Sequence, residues 1–370
     1  MRIAQVSPLY ESVPPKAYGG TERVVSYLTE ELVKLGHDVT LFASGDSVTA
    51  ARLVAPCKRA LRMDPRVTDP LAHHYVMLEE VFEMAGFFDI IHFHIDYLHF
   101  PLSRRHATPQ LTTLHGRLDI ADLTPLYQTF AEMPVVSISN HQRTPLPDAN
   151  WQATIYHGLP TDLYACGGNE PRDYLAFLGR ISPEKRPDRA IEIAGRAGMK
   201  LKIAAKTDAV DRLYMEQVIE PLLRRAPVDF IGEIDQNAKN NFLANAYALL
   251  CPIDWPEPFG LVMIEAMACG TPVIAFRCGS VPELLEEGIT GFIVDDIEGA
   301  LAAIEKIQGF DRKRCREVFE KRFSAARMVE GYLRIYRRLI KSSADNDARV
   351  ALSPLHADAL KSTIHYEIEK

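Results

Sequence analysis

Short apolar runs alternate with longer stretches of helical spacing along most of this chain, in two series separated by one break. In the first series the strand candidates are 2–6, 38–43, 89–94, 110–114, 135–139 and 153–156. Between the first two, residues 21–35 set Val24, Val25, Leu28, Leu32 and Leu35 at helical spacing and end at Gly36. A helix, then Gly-His-Asp, then a strand is the return leg of a βαβ unit. Repetition of that unit predicts parallel sheets covered by helices on both faces.

The break is 158–172, rich in Gly, Pro and Asp and without a sustained period, which reads as a domain linker. Alternation then restarts with strands 174–178, 200–205, 228–231, 248–251, 272–276 and 291–294, and with helices 187–197, 209–224 and 237–245 among them. The expected fold class is α/β, with two doubly wound Rossmann-like domains facing each other across a cleft. The first domain is 1–165 and the second 170–324. A basic amphipathic helix, 325–341, crosses back to the first domain, and a tail, 342–370, has no assignment. Ligands of such folds sit at the carboxyl ends of the strands, hence in the cleft.

A chain of 370 residues accommodates two such domains. Its formal charge of −7 argues against a general nucleic-acid binder. The six cysteines form no C-x-x-C pair and several lie in apolar runs, so reduced core thiols are expected. The opening apolar run is too short for a signal peptide and no apolar segment reaches spanning length. These features lead us to expect a cytoplasmic protein. Helix 325–339 carries Arg327, Arg334, Arg337 and Arg338 beside Met328, Leu333, Ile335, Tyr336 and Leu339. It suits a docked helix with a solvated face, and also a peripheral contact on the inner face of an anionic membrane.

The segment from Pro256 to Ala275 reads as a loop, a buried helix and a strand. Leu261, Ile264, Met267 and Ala268 form one apolar face, and Val262, Met263 and Ala266 fill much of the rest. A helix apolar nearly all round is buried, so Glu265 within it is expected to be buried and to need a partner. Glu257 precedes the helix, Gly260 allows close approach, and the free amides of the helix start attract an anion. The plainer alternative makes Glu257 a loop residue favoured by the helix dipole and turns Glu265 to solvent.

Three other loops fall at strand ends. Tyr18-Gly19-Gly20-Thr21-Glu22 follows the first strand; its glycines admit a bulky anion or simply make a turn. No G-x-G-x-x-G or G-x-x-x-x-G-K-S/T occurs, which removes the main support for nicotinamide-cofactor and ATP readings. In the loop from Gly179 to Pro187, Arg180 and Lys185 bring a guanidinium and an ammonium to one place, a pair suited to a diphosphate. His115-Gly116-Arg117 sets a histidine at a strand end, where it touches a sugar hydroxyl or is merely structural. His92, His94, Asp96 and His99 superficially suggest a metal site, but no second cluster completes it.

These motifs, in this order and separation, resemble the retaining nucleotide-sugar glycosyltransferases of family four, which have the two-domain GT-B fold. The resemblance covers about the first 340 residues and rests on Gly-Gly-Thr-Glu at 19–22, His115 and Gly-Arg-Ile-Ser-Pro-Glu-Lys-Arg at 179–186. It rests also on Glu257 and Glu265 with seven residues between them and on Gly279-Ser280-Val281-Pro282-Glu283. It implies that Arg180 and Lys185 hold the donor diphosphate, Glu257 the sugar hydroxyls and Glu265 the ribose. Backbone amides of Phe259, Gly260 and Leu261 would meet sugar and phosphate, Gly19 and Gly20 would face the diphosphate, and Gly232 would fall near the base. His115 would lie beside the donor sugar, which with Arg180, Lys185 and Glu257 makes the catalytic set. His157 replaces the usual asparagine before the linker.

The resemblance implies transfer of a hexose, from UDP-glucose first and GDP-mannose second, to a carbohydrate or lipid-linked acceptor in polysaccharide or glycoconjugate assembly. Neither a metal nor another cofactor is expected. The competing expectations are a nucleotide-sugar epimerase of the same architecture and a non-catalytic sugar-nucleotide binder. The acceptor would be chosen by first-domain loops 10–18, 96–105 and 117–126, where Arg104, Arg105 and Arg117 either contact it or stay solvated.

Overall fold

The computed structural model describes residues 1–16, 18–167, 172–225 and 227–351, with the side chains of 346–351 excepted. Two sheets carry the fold, and every strand pairing described in them is parallel. The first contains β1 (Arg2–Val6), β2 (Asp38–Phe42), β3 (Arg52–Val54), β4 (Ile90–Phe93), β5 (Gln110–Thr113), β6 (Val135–Ser137) and β7 (Trp151–Thr154). Its order is β3-β2-β1-β4-β5-β6-β7. The second contains β8 (Tyr174–Arg180), β9 (Lys200–Lys206), β10 (Val228–Gly232), β11 (Ala248–Cys251), β12 (Val273–Phe276) and β13 (Gly291–Val294), in the order β10-β9-β8-β11-β12-β13.

Both sheets wind in one direction from their first strand and then in the other, so each has a switch point: β1 beside β4 in the first, β8 beside β11 in the second. Loops leaving neighbouring strands in opposite directions open a crevice there. The loops after β1, β8 and β11 therefore point into the cleft between two Rossmann-like α/β domains, the arrangement of the GT-B fold.

Parallel strands covered on both faces read as continuous apolar runs, and Ile90 to Phe93, Leu249 and Leu250, and Val273 to Ala275 are accordingly buried. Two strands differ from the expectation for a physical reason. Strand β3 is three residues long, half-exposed and at an edge, too short to leave a pattern. The edge strand β7 is half-buried throughout and begins at Trp151, two residues earlier than its apolar stretch suggests.

The expected helix 209–224 is broken into short pieces, with a π-turn at Met215–Ile219 ahead of Pro221, whose missing amide interrupts the ladder. Helix Pro70–Glu83 adds a further cover to the first sheet, its start capped by the Asp69 carboxylate accepting from Leu71 and Ala72.

The last described helix runs Ala325–Ala351, ten residues beyond the expected end at 341, because no Gly or Pro stops it. It leaves the second domain where the chain lies against the linker: the Leu159 amide donates to Phe323 and the Ala325 amide to Leu159. It then lies on the first sheet, where Tyr332 and Tyr336 are fully enclosed. Its apolar face is thus occupied by protein, while Arg327 and Arg334 pair with Glu330 and Arg338 donates to Gln152. Residues 168–171 of the linker and 352–370 of the tail lie outside the described residues. Among the described residues no helix is long and apolar enough to cross a membrane, and none of the six cysteines is paired.

Candidate functional site

The switch points place three loops around one cleft of about 1200 Å³. Arg180 ends β8 and its side chain lines the cleft. Its charge faces Glu184 at 3.6 Å and Asp208 at 3.5 Å, too long for good hydrogen bonds. Its buried Nε has no partner among the described residues. Buried donors are normally satisfied, so Arg180 retains capacity for a ligand. Two residues past Pro183, Lys185 also lines the cleft, whereas Arg186 is bound back to Asp188 and Asp254 and serves the loop.

The Lys185 ammonium donates to the Glu257 carboxylate and lies 5.0 Å from the centre of the Trp255 ring. The Trp255 indole donates to the same carboxylate oxygen at 3.0 Å. Glu257 is thus held from one side and open toward the cleft on the other. Gly260, at φ 87, turns the chain into helix Leu261–Ala268, whose start carries no side-chain cap and lines the cleft. Uncapped amides at a helix start form a ready anion site. The buried Phe259 ring meets His157 edge-on at 4.8 Å, and the Phe259 carbonyl accepts from the Ser280 hydroxyl, which fixes the loop.

Glu265 is 2% exposed and its expected partners are found: Lys239 at 2.8 Å and the Tyr164 hydroxyl at 2.9 Å. Burial pushes its pKa up most strongly, but the Lys239 charge and hydrogen bond, the Arg23 charge and Tyr164 together hold it below the usual value. The carboxylate is ionised and still lines the cleft.

Across the cleft, Gly19 precedes and Gly20 opens helix Gly20–Lys34. Gly20 comes so close to the other wall that a β-carbon there would lie 3.6 Å from Leu261 Cδ1. The domains also touch directly: the Tyr18 amide donates to Glu233, Arg23 to Gln236, and the backbone amides of Asn140 and His141 to Glu283. Gly232, with φ 83, ends β10 where its register shifts, and the next two residues, Glu233 and Ile234, line the cleft.

His115 lines the cleft, stacked on His157 at 5.2 Å and 2.9 Å from His94. Burial lowers its pKa to about 3, so it is neutral at ordinary pH. His92, His94 and His99 are each bonded through both ring nitrogens to protein groups, and among the described residues no group of three side chains could hold a metal. Arg117 lines the cleft, paired with Asp119 at 2.7 Å. Arg104 lies outside it against Glu132, and Arg105 donates to Pro101.

Sequence reasoning missed Lys239 and Trp255, and it gave His94 no contact with His115 and Glu283 none with the first domain. Trp255 sits two residues before Glu257 and was within reach of the motif; Lys239 belongs to a polar helix with no signal of its own.

Residues 167–316 match the family model Glycosyl transferases group 1, and residues 18–152 match Glycosyltransferase Family 4. The D-inositol 3-phosphate glycosyltransferase of Kribbella flavida is 26% identical over 283 residues, covering 62% of this chain and 66% of that one. The enzyme of that name from Mycolicibacterium smegmatis is 31% identical over 208 residues, covering 52% of this chain and 44% of that one. The chain thus spans between about half and two thirds of these relatives. In fold it is similar to Anabaena HepE in complex with UDP and glucose, with a TM-score of 0.70 at 17% identity over 90% of this chain and 98% of that one.

Proposed function

We propose that this chain, a GT-B-fold member of the glycosyltransferase family 4 superfamily, is a retaining hexosyltransferase. It would use a nucleotide sugar, UDP-glucose before GDP-mannose, and transfer the sugar to a carbohydrate or lipid-linked acceptor in polysaccharide or glycoconjugate assembly. The observation that carries this reading is the convergence of Arg180, Lys185 and an uncapped helix start on one cleft, with Glu257 held beside them.

The chemistry follows from charge. As the bond from the anomeric carbon to the diphosphate oxygen breaks, negative charge grows on the departing nucleoside diphosphate and the sugar becomes oxocarbenium-like. Two fixed cations and oriented amides stabilise that charge without reorganising, so the reading needs no divalent metal. The acceptor oxygen bonds to the same face, and its proton passes to the donor phosphate oxygen that is leaving, which retains configuration. Glu257 binds sugar hydroxyls and Glu265 the ribose.

Incubation with a panel of nucleotide sugars in the presence of EDTA, with and without a saccharide pool, tests it by release of the free nucleoside diphosphate. A glycoside as product supports transfer; an isomerised donor alone would indicate an epimerase. Binding without turnover of any donor would point to a non-catalytic role.

A further inference from the structure

The Gln5 side chain on β1 is used at both ends. Its amide nitrogen donates to the Tyr336 hydroxyl at 3.1 Å, and its oxygen lies 2.8 Å from His94 Nε2. An amide oxygen only accepts, so His94 Nε2 carries a proton. His94 is neutral, since burial drives it well below the ordinary histidine value, which leaves its Nδ1 bare. That atom is 2.9 Å from His115 Nε2. His115 Nε2 must therefore donate, and in a neutral ring the other nitrogen, Nδ1, is then the acceptor.

His115 Nδ1 is buried, lacks a partner among the described residues and belongs to a side chain lining the cleft. The other arm of the network runs in the same sense. Tyr336, accepting from Gln5, donates to His92 Nδ1 at 2.7 Å; His92 Nε2 then donates to Thr113 at 2.8 Å, and Thr113 to Tyr332 at 2.9 Å. Reversing every bond would leave a buried His115 N–H unpaired, and an orphaned buried N–H is rarer than a bare acceptor.

From this geometry we infer that His94, Gln5 and Tyr336 are positioning residues that lock His115 as the Nε2–H tautomer, so that its Nδ1 accepts a hydrogen bond from a donor-sugar hydroxyl. Helix Ala325–Ala351 thereby sets the hydrogen-bonding sense of a site residue across the first sheet. The sugar as occupant rests on the proposed function; the tautomer does not.

The test is nitrogen NMR of the full chain labelled with 15N-histidine, with His115 assigned from the His115→Asn difference spectrum. The wild-type protein is expected to show His115 protonated on Nε2 alone. Gln5→Leu and the milder Tyr336→Phe are expected to give a mixture of tautomers, whereas Gln5→Glu, which keeps an acceptor opposite His94, retains the single form. With UDP-glucose, the two disruptive variants should lose about 3- to 10-fold in kcat/KM, the equivalent of one neutral hydrogen bond, while Kd for UDP alone stays as in wild type. A wild-type His115 protonated on Nδ1, or an unchanged tautomer in both disruptive variants, overturns the inference. The spectrum needs no turnover, so its failure is distinct from a failure of the functional reading.

Discussion

Gly279 lies directly against Glu257: a β-carbon at position 279 would come within 2.4 Å of the Glu257 amide nitrogen and 2.5 Å of its carbonyl oxygen. The glycine also holds φ at 56, and the next residue, Ser280, donates its amide to the Glu257 carbonyl at 3.0 Å. The carboxylate loop is therefore laid on this turn. Gly279→Ala should cost about 1–3 kcal/mol of stability through backbone strain. Because Glu257 must shift, kcat/KM should fall further than that loss of folded protein explains. Thermal melts beside turnover measurements separate the two effects; wild-type turnover in Gly279→Ala would mean that Glu257 does not need its place.

Glu265 and Lys239 form a pair inside the second domain, and Glu265 is the more deeply buried partner. Removing one member strands the other's charge. Glu265→Gln should therefore destabilise by about 3–5 kcal/mol, read from denaturant unfolding. The folded carboxyl titrates below the usual 4.5, so its contribution is full above 4.5 and is lost as pH falls through the folded value. The difference between wild type and Glu265→Gln should shrink on acidification below 4.5.

Burial holds His92, His94, His99, His115 and His157 below the ordinary histidine value of 6.5. The unfolded chain then binds more protons than the folded one as pH drops below 6.5. Stability is full above that value and falls on acidification, by about 1.4 kcal/mol per pH unit for each such histidine. Unfolding midpoints should hold from about pH 8 to about 6.5 and decline steeply from there to about 5, and a flat profile throughout would show that these rings are not neutral in the fold.

Glu283 accepts from the Asn140 amide at 2.7 Å, the His141 amide at 2.6 Å and the Tyr156 hydroxyl at 3.0 Å, all across the domain boundary. Glu283→Ala should loosen the closed arrangement, visible as a larger radius of gyration in small-angle scattering, with little change in the second domain's own stability. An unchanged radius would place the hold on the cleft elsewhere, for instance at Tyr18 with Glu233.

The alternation of apolar runs carried most of the fold, because strands covered on both faces must be apolar and the helices between them must show one apolar stripe. It carried the switch points only by implication: which strands neighbour β1 and β8 is a matter of tertiary pairing. The three cleft loops were legible because Gly, Arg, Lys and Glu stand at strand ends where packing does not require them. The partners were not. Lys239 comes from a helix whose polar sequence suits solvent equally well, and the role of His94 depends on Gln5 and Tyr336, more than 80 and 240 residues away along the chain.

The central claim is that Arg180 and Lys185, with the start of helix Leu261–Ala268, hold a nucleoside diphosphate without a metal. Calorimetric titration of UDP into wild type, Arg180→Ala and Lys185→Ala in EDTA tests it most directly, followed by kcat with UDP-glucose. Wild type should bind, each variant should bind more weakly, and kcat should fall about 10²- to 10³-fold in each, the loss expected for one preorganised charge-stabilising group. Equal UDP affinity in all three proteins, with folding intact, would contradict the account.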